Sequence, residues 1–213
     1  MFFKRLFFLA TCFVLAGAGN SQLTFKDYFN EQTPLTYLGI DFTEIKLAGF
    51  SEEERKDMAE KQFGFINNLI INEDEKKKFN LPEFFHKRKV EKDISFSEEH
   101  NFKIEADKVK SAGGDDENRL TPAAVEKLIA GYDFADKEGM GAMIVAESFN
   151  RTKEQGTAYI VFIDLTTRKI LYSEKFTEKG GGFGVRNFWS RVFYNLLLET
   201  DSKYKKWKKE NSL

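Results

Sequence analysis

Residues 141–176, GAMIVAESFNRTKEQGTAYIVFIDLTTRKILYSEKF, decide the fold. Three runs within them read as strands: 141–149, 157–165 and 169–176. The last two are separated by Thr166-Thr167-Arg168, a hairpin-length connection, so the sheet is at least partly antiparallel. A glycine cluster comes next at 180–184. The chain then closes with a helix predicted over 186–207, whose apolar stripe is Trp189, Val192, Phe193, Leu196, Leu197, Tyr204 and Trp207.

Working back toward the N-terminus, Thr121 and Pro122 suit an N-cap and first helical position, and a helix runs through Val125, Leu128 and Ile129 to Gly131. The run 35–47, LTYLGIDFTEIKL, reads as one strand. Leu38, Ile40 and Phe42 fall on one face; Tyr37, Gly39 and Asp41 fall on the other. Ser51 and Glu54 form a capping box, and Met58, Ala59, Phe63, Ile66, Leu69 and Ile70 recur at helical spacing to about Ile71. Residues 72–78 are charged, and Leu81-Pro82 ends that stretch. The middle, 72–119, is poorly defined: a strand is expected near 88–96 from Val90, Ile94 and Phe96, another over 101–106, and an exposed loop over 107–119.

Helices interleaved with strands imply an α/β (α+β) fold. The expectation is a single layered domain over 34–213, preceded by a polar lead-in at 19–33. It has a mixed sheet of about four to six strands, a C-terminal antiparallel hairpin and three main helices packed on it. There is no internal repeat.

Residues 1–18, MFFKRLFFLATCFVLAGA, have the parts of a cleaved secretory signal. Lys4 and Arg5 are the basic region, Leu6 to Leu15 the apolar core, and Ala16-Gly17-Ala18 the small-residue cleavage pattern. Two alternatives are an uncleaved anchor and a lipoprotein signal ending at Cys12. The lipoprotein would start Cys-Phe-Val-Leu after a stunted core, so anchoring through Cys12 is disfavoured. Export to a periplasm or beyond is the expected localisation.

Cleavage would change the arithmetic. The chain has 23 Phe in 213 residues and a net charge of -1. Losing 1–18 leaves 18 Phe in 195 residues, moves the charge to -3, and removes Cys12, the only cysteine. Without Cys there is no disulfide, no thiol nucleophile and no Cys-ligated metal. The near-neutral charge gives no reason to expect nucleic acid as a partner.

From Thr121 to about Thr200 the order is helix, the strand opening Gly141-Ala142-Met143-Ile144-Val145-Ala146, a strand ending at Asp164, the hairpin Thr167-Arg168-Lys169-Ile170-Leu171-Tyr172-Ser173, and a closing helix. This pattern resembles bacterial envelope proteins of the curli-secretion-channel and penicillin-binding-protein-activator type, over roughly 80 of the 213 residues. The resemblance implies a non-catalytic, partner-binding domain of the cell envelope. The chain departs from that group in lacking a convincing lipobox and in having Thr-Arg-Lys where the hairpin often has Thr-Gly. No catalytic residues are carried over, and no cofactor is implied.

The candidate ligand or partner site is the glycine-rich loop: Gly181, Gly182, Phe183, Gly184, Arg186 and Asn187. Successive glycines before a helix can turn backbone N–H groups toward an anion, and Arg186 could add a bidentate contact. The alternative is a strand-to-helix connector, since neither nucleotide-binding glycine motif is matched. The second functional reading, an envelope enzyme or small-ligand (anion) binder, requires a pocket beside this loop with two or more convergent carboxylates. His86 and His100 read as surface residues, with no metal site. Asp41, Glu44 and Glu147 read as carboxylates on the solvent side of strands. No GxSxG nucleophile motif is present. The tail Lys203–Lys209 reads as the end of the helix stripe, with a peripheral contact to an anionic membrane as the alternative. The phenylalanines left unplaced, Phe84, Phe85, Phe183 and Phe188, would form an apolar patch if exposed together.

Overall fold

The computed structural model describes residues 22–73 and 78–211. The signal reading of 1–18 lies outside the described residues. Strand β4 (Met140–Asn150) is the spine of the sheet. It pairs antiparallel with β5 (Gln155–Asp164), which pairs antiparallel with β6 (Lys169–Lys179). On its other side β4 runs parallel to β1 (Leu35–Asp41) over its first half and to the short β2 (Lys46–Ala48) at its end. Parallel to β1 lies β3 (Val90–Lys92). The sheet is mixed and six-stranded, in the order β3-β1-β4-β5-β6 with β2 on β4. The expected single α/β architecture with its C-terminal antiparallel hairpin is the one observed.

Parallel pairing of β1 with β3 requires a crossover, and a long helix supplies it. That helix has three consecutive parts: α1 (Glu52–Asp57), a π-helical turn (Met58–Gln62) and α2 (Phe63–Asn72). The Ser51/Glu54 capping box starts it. In the π turn the Phe63 N–H bonds the Met58 carbonyl five residues back, one residue more than an α-helix allows. The short helices α3 (Leu81–Phe84) and α4 (Ser95–Asn101) come next, then α5 (Pro122–Ala130), capped by the Thr121 hydroxyl, and α6 (Val185–Glu210).

The sheet is covered on both faces. On one side Ile40, Phe42, Phe149 and Phe162 pack with Ile66, Phe193 and Trp207 from α2 and α6. On the other, Leu38, Met143, Val145 and Val161 pack with Ile129, Tyr132 and Phe134 in and after α5. Both faces being buried explains why β1, β4 and β5 are apolar almost without alternation.

Several expectations change. Residues 35–47 are two strands joined by a turn in which Ile45 N–H bonds the Phe42 carbonyl. The facing of β1 also flips. Its register against β4 shifts between Tyr37 and Ile40, and Gly39 sits at φ +84 inside the shift. Leu38 therefore joins the α5 side while Ile40 and Phe42 join the α6 side. A side chain at Gly39 would stand 2.6 Å from the Ser97 hydroxyl and 3.0 Å from Asn67 Oδ1. Asn67 uses that space to accept from Ile40 N–H at 2.8 Å and donate to its carbonyl at 3.0 Å.

The middle is more helical than expected. Val90 is in a strand, but Ile94 caps α4 and Phe96 lies within it; Asn101 is the last residue of that helix, its side chain bonding Phe42 N–H and the Ile40 carbonyl, and turns follow it in place of a strand. The stretch read as a polar lead-in contains a 3-10 turn, Phe25–Phe29, that buries Phe25 and Tyr28 under Phe162 and Trp207. Phe84 and Phe85 are buried too, so the four unplaced phenylalanines form no common patch.

Candidate functional site

Trp189, one turn into α6, is buried and stacks on Phe149 of β4 with centroids 4.4 Å apart. Phe188 meets it edge-on at 5.0 Å, and Phe50 lies against it at 5.3 Å. The Trp189, Phe188 and Phe50 rings, with Met58 and Val185, floor a half-open groove of about 470 Å³, and Phe149 supports Trp189 from beneath. Three elements meet there: α1 with the π turn, the β4–β5 turn, and the loop that opens α6.

The glycine loop is tethered at both ends. Gly180 N–H bonds the Glu154 carbonyl at 2.8 Å, and Gly181 N–H bonds the Phe188 carbonyl at 3.0 Å. Phe188 packs so closely over Gly180 that an added Cβ would lie 2.4 Å from its ring. Gly182 and Gly184 take φ +106 and +81 and line the groove. Between them Phe183 points into solvent, 96% exposed.

Of the other predicted site residues, Gly181 anchors the loop without lining the groove. Asn187 donates to the Phe183 carbonyl at 3.1 Å and fixes the loop's shape. Arg186 is exposed, and its guanidinium donates to Asn187 Oδ1 at 3.3 Å, outside the groove lining. The N-cap of α6 is Gly184, which has no side chain to satisfy the first helical N–H groups.

The rim is acidic. Glu53, Glu54 and Asp57 come from α1, and Glu154 from the β4–β5 turn. The one cation in the lining, among the described residues, is Arg151, which pairs with Glu54. The Ser51 backbone N–H and that guanidinium hold Glu54 below the usual carboxylate range. Asp57 accepts from Gln62 at 2.8 Å, while Lys61 stands 3.8 Å away. Glu154 occupies the left-handed region at φ +52, a conformation that costs a non-glycine residue on the order of 1 kcal/mol.

Sequence reasoning misses Glu53, Asp57, Arg151 and Glu154 as site residues. They lie in two exposed segments, Arg151 standing 97 positions from Glu54, and only the fold brings them together. The capping box is legible at Ser51, but its acids read there as helix-end charge.

Elsewhere, two of the three strand carboxylates, Asp41 and Glu147, are not on a solvent side. Asp41 is fully buried, accepting from the Thr43 backbone and hydroxyl and from the Tyr132 hydroxyl. Glu147 is fully buried as well. It accepts from Leu120 N–H and pairs with Lys175 at 2.6 Å. Lys175 also donates to the Leu120 carbonyl at 3.2 Å, and the Tyr159 hydroxyl donates to the same carbonyl at 2.8 Å. These polar groups hold the entry to α5 against the sheet. Glu44 pairs with Arg119 on the partly exposed side of the same entry. His86 stacks on Tyr204 and pairs with Asp201 at 2.7 Å, and His100 stacks on Tyr132. Both are half-buried links between elements. Among the described residues no group of His, Cys, Asp or Glu comes together as a metal site, and no helix is long and apolar enough to cross a membrane.

No family model, curated protein or solved structure matches the chain.

Proposed function

We propose that the protein is an exported, non-catalytic binding module of a bacterial cell envelope, and that it holds its partner at the groove beside the 180–188 loop. The observation that carries this reading is the groove: rigid aromatic floor, tethered glycine rim, and a fully exposed phenylalanine at its lip. Interfaces are enriched in aromatic anchors of this kind. The signal-like N-terminus and the resemblance to envelope assembly proteins supply the location. The lysine tail could touch a membrane only by charge, because Tyr204 and Trp207 are buried.

The test is a photo-crosslinking residue placed at position 183 and, separately, at Phe102, which is equally exposed but outside the groove lining, in cells that export the protein. A partner captured at 183 and not at 102 supports the reading. Equal capture at both, or none at 183, overturns it.

A second reading, an enzyme or small-ligand (anion) binder, draws on the carboxylates beside the loop and on the uncapped start of α6. It expects saturable binding of inorganic phosphate by calorimetry. The groove lining, among the described residues, offers carboxylates and one paired guanidinium but no hydroxyl, thiol or imidazole. That composition supports the binding reading over catalysis by a serine, cysteine or histidine nucleophile.

A further inference from the structure

We infer that the occupant of this groove is a polypeptide segment in which a lysine or arginine stands beside an aromatic or large aliphatic side chain; this rests on the binding reading above.

Among the described residues, four carboxylates and one guanidinium line the groove, and Glu54 takes up the guanidinium. Asp57 has Lys61 3.8 Å away, outside the lining, and Glu53 and Glu154 are left facing an apolar floor with no further cation in that lining to answer them. A negative rim over aromatic faces attracts a cation twice, through the carboxylates and through the ring quadrupoles of Phe50, Phe188 and Trp189. The same rim repels an acidic partner, which gives selectivity as well as attraction.

The floor asks for more than a cation. Its rings and Met58 offer apolar surface that a hydrated ammonium alone would leave uncovered. An adjacent apolar side chain on the same ligand would cover it. The walls favour a chain over a small enclosed molecule. The groove is half-open, and Gly182 and Gly184 present no side chain on that edge. A backbone can therefore lie along the edge, with Phe183 free to fold onto it.

The probe is a fluorescein-labelled synthetic peptide alternating Arg and Phe with Ser spacers, with two control peptides, one with Glu for Arg and one with Ala for Phe. Binding is read by anisotropy on the full exported chain and by quenching of Trp189, with a Trp207→Phe background isolating that signal. The parent peptide is expected to bind, and the Glu control not to. The Ala control should bind at least about tenfold more weakly. Glu53→Lys and Glu154→Lys, both on exposed positions, should each weaken the parent peptide by about tenfold while leaving the far-UV spectrum unchanged. Equal binding of the Glu control, or indifference to both reversals, overturns the inference.

The crosslink at position 183 separates the two levels. A captured segment lacking Lys and Arg removes this inference and leaves the binding module standing. Failure to crosslink and failure of the parent peptide to bind remove both. Capture of a second copy of the chain, with the crosslink lost on dilution, identifies self-assembly instead and also overturns it.

Discussion

Trp189 of α6 lies flat on Phe149 of β4, their rings 4.4 Å apart and 16° from parallel. One ring of the groove floor thus rests directly on the central strand. Phe149 also contacts Phe42 and Phe193 and fills the space over Gly156, where a Cβ would sit 2.7 Å from its ring. Phe149→Ala is expected to cost about 4 kcal/mol, as lost burial plus a cavity that rigid neighbours cannot close. Urea unfolding measures it, and a loss below about 1 kcal/mol would show that Trp189 can collapse into the space.

Phe183 should behave in the opposite way. Its ring is 96% exposed, so Phe183→Ser should leave unfolding free energy within about 0.5 kcal/mol of the parent chain. Partner capture at the groove should nevertheless drop. A large stability change in this variant would mean that Phe183 folds down onto the protein in solution.

Gly39 is held at φ +84, with Ser97, Ile94 and Asn67 all within 3.0 Å of where a Cβ would be. Gly39→Ala is expected to destabilise by about 3 kcal/mol, combining left-handed strain with overpacking. The check is the denaturant midpoint beside that of Gly114→Ala, which has open space around it and should be nearly silent.

Glu147 and Lys175 test a buried pair. Glu147 is inaccessible and Lys175 about a quarter exposed. Lys175→Met should cost about 3 kcal/mol, mainly by leaving a buried carboxylate without its cation. Adding Glu147→Gln keeps an acceptor for Leu120 N–H and removes the charge, so the double variant should regain at least half of the loss. A double variant no better than the single one would place the cost in lost packing of the lysine stem.

Alkaline pH should act in two opposed windows. Burial lowers Lys87 from 10.5 to about 8. Between those values the unfolded chain holds more protons than the folded one, so stability rises with pH. Burial also raises Tyr28, Tyr37 and Tyr132 above their usual 10.0, with Asp41 adding to the effect on Tyr132. Their contribution is complete below pH 10 and is lost as pH climbs past it. Urea midpoints should therefore rise from pH 8 toward 10 and fall beyond. Lys87→Met should flatten the rise and spare the fall; a variant curve parallel to the parent across pH 8–10 would refute the assignment.

The long elements are legible because each carries a sustained local signal. The stripe from Trp189 to Trp207 and the apolar runs of β4 and β5 admit one reading each. The features that escape are decided by contacts distant in sequence. Ser95 to Asn101 has no apolar period, and becomes a helix because Asn101 and Ser97 are wanted at the Gly39 kink. Asp41 and Glu147 read as surface charges because alternation cannot reveal that a strand is covered on both sides. The loop half of the site, Gly182 and Gly184, is visible from composition. The acidic half is not, since nothing local at Glu53 or Glu154 points across to the other.

The wide turn at Met58–Gln62 has a consequence for the helix on either side of it. Each residue of a regular helix advances the side-chain direction by ~100°, so both ends normally share one phase. The extra residue in the π turn resets that phase partway along. Glu53, Glu54 and Asp57 ahead of the turn face the groove, while Met58 within it and Phe63, Ile66 and Ile70 beyond it share the core. One continuous helix thus carries an acidic edge on the groove and a buried stripe in the core.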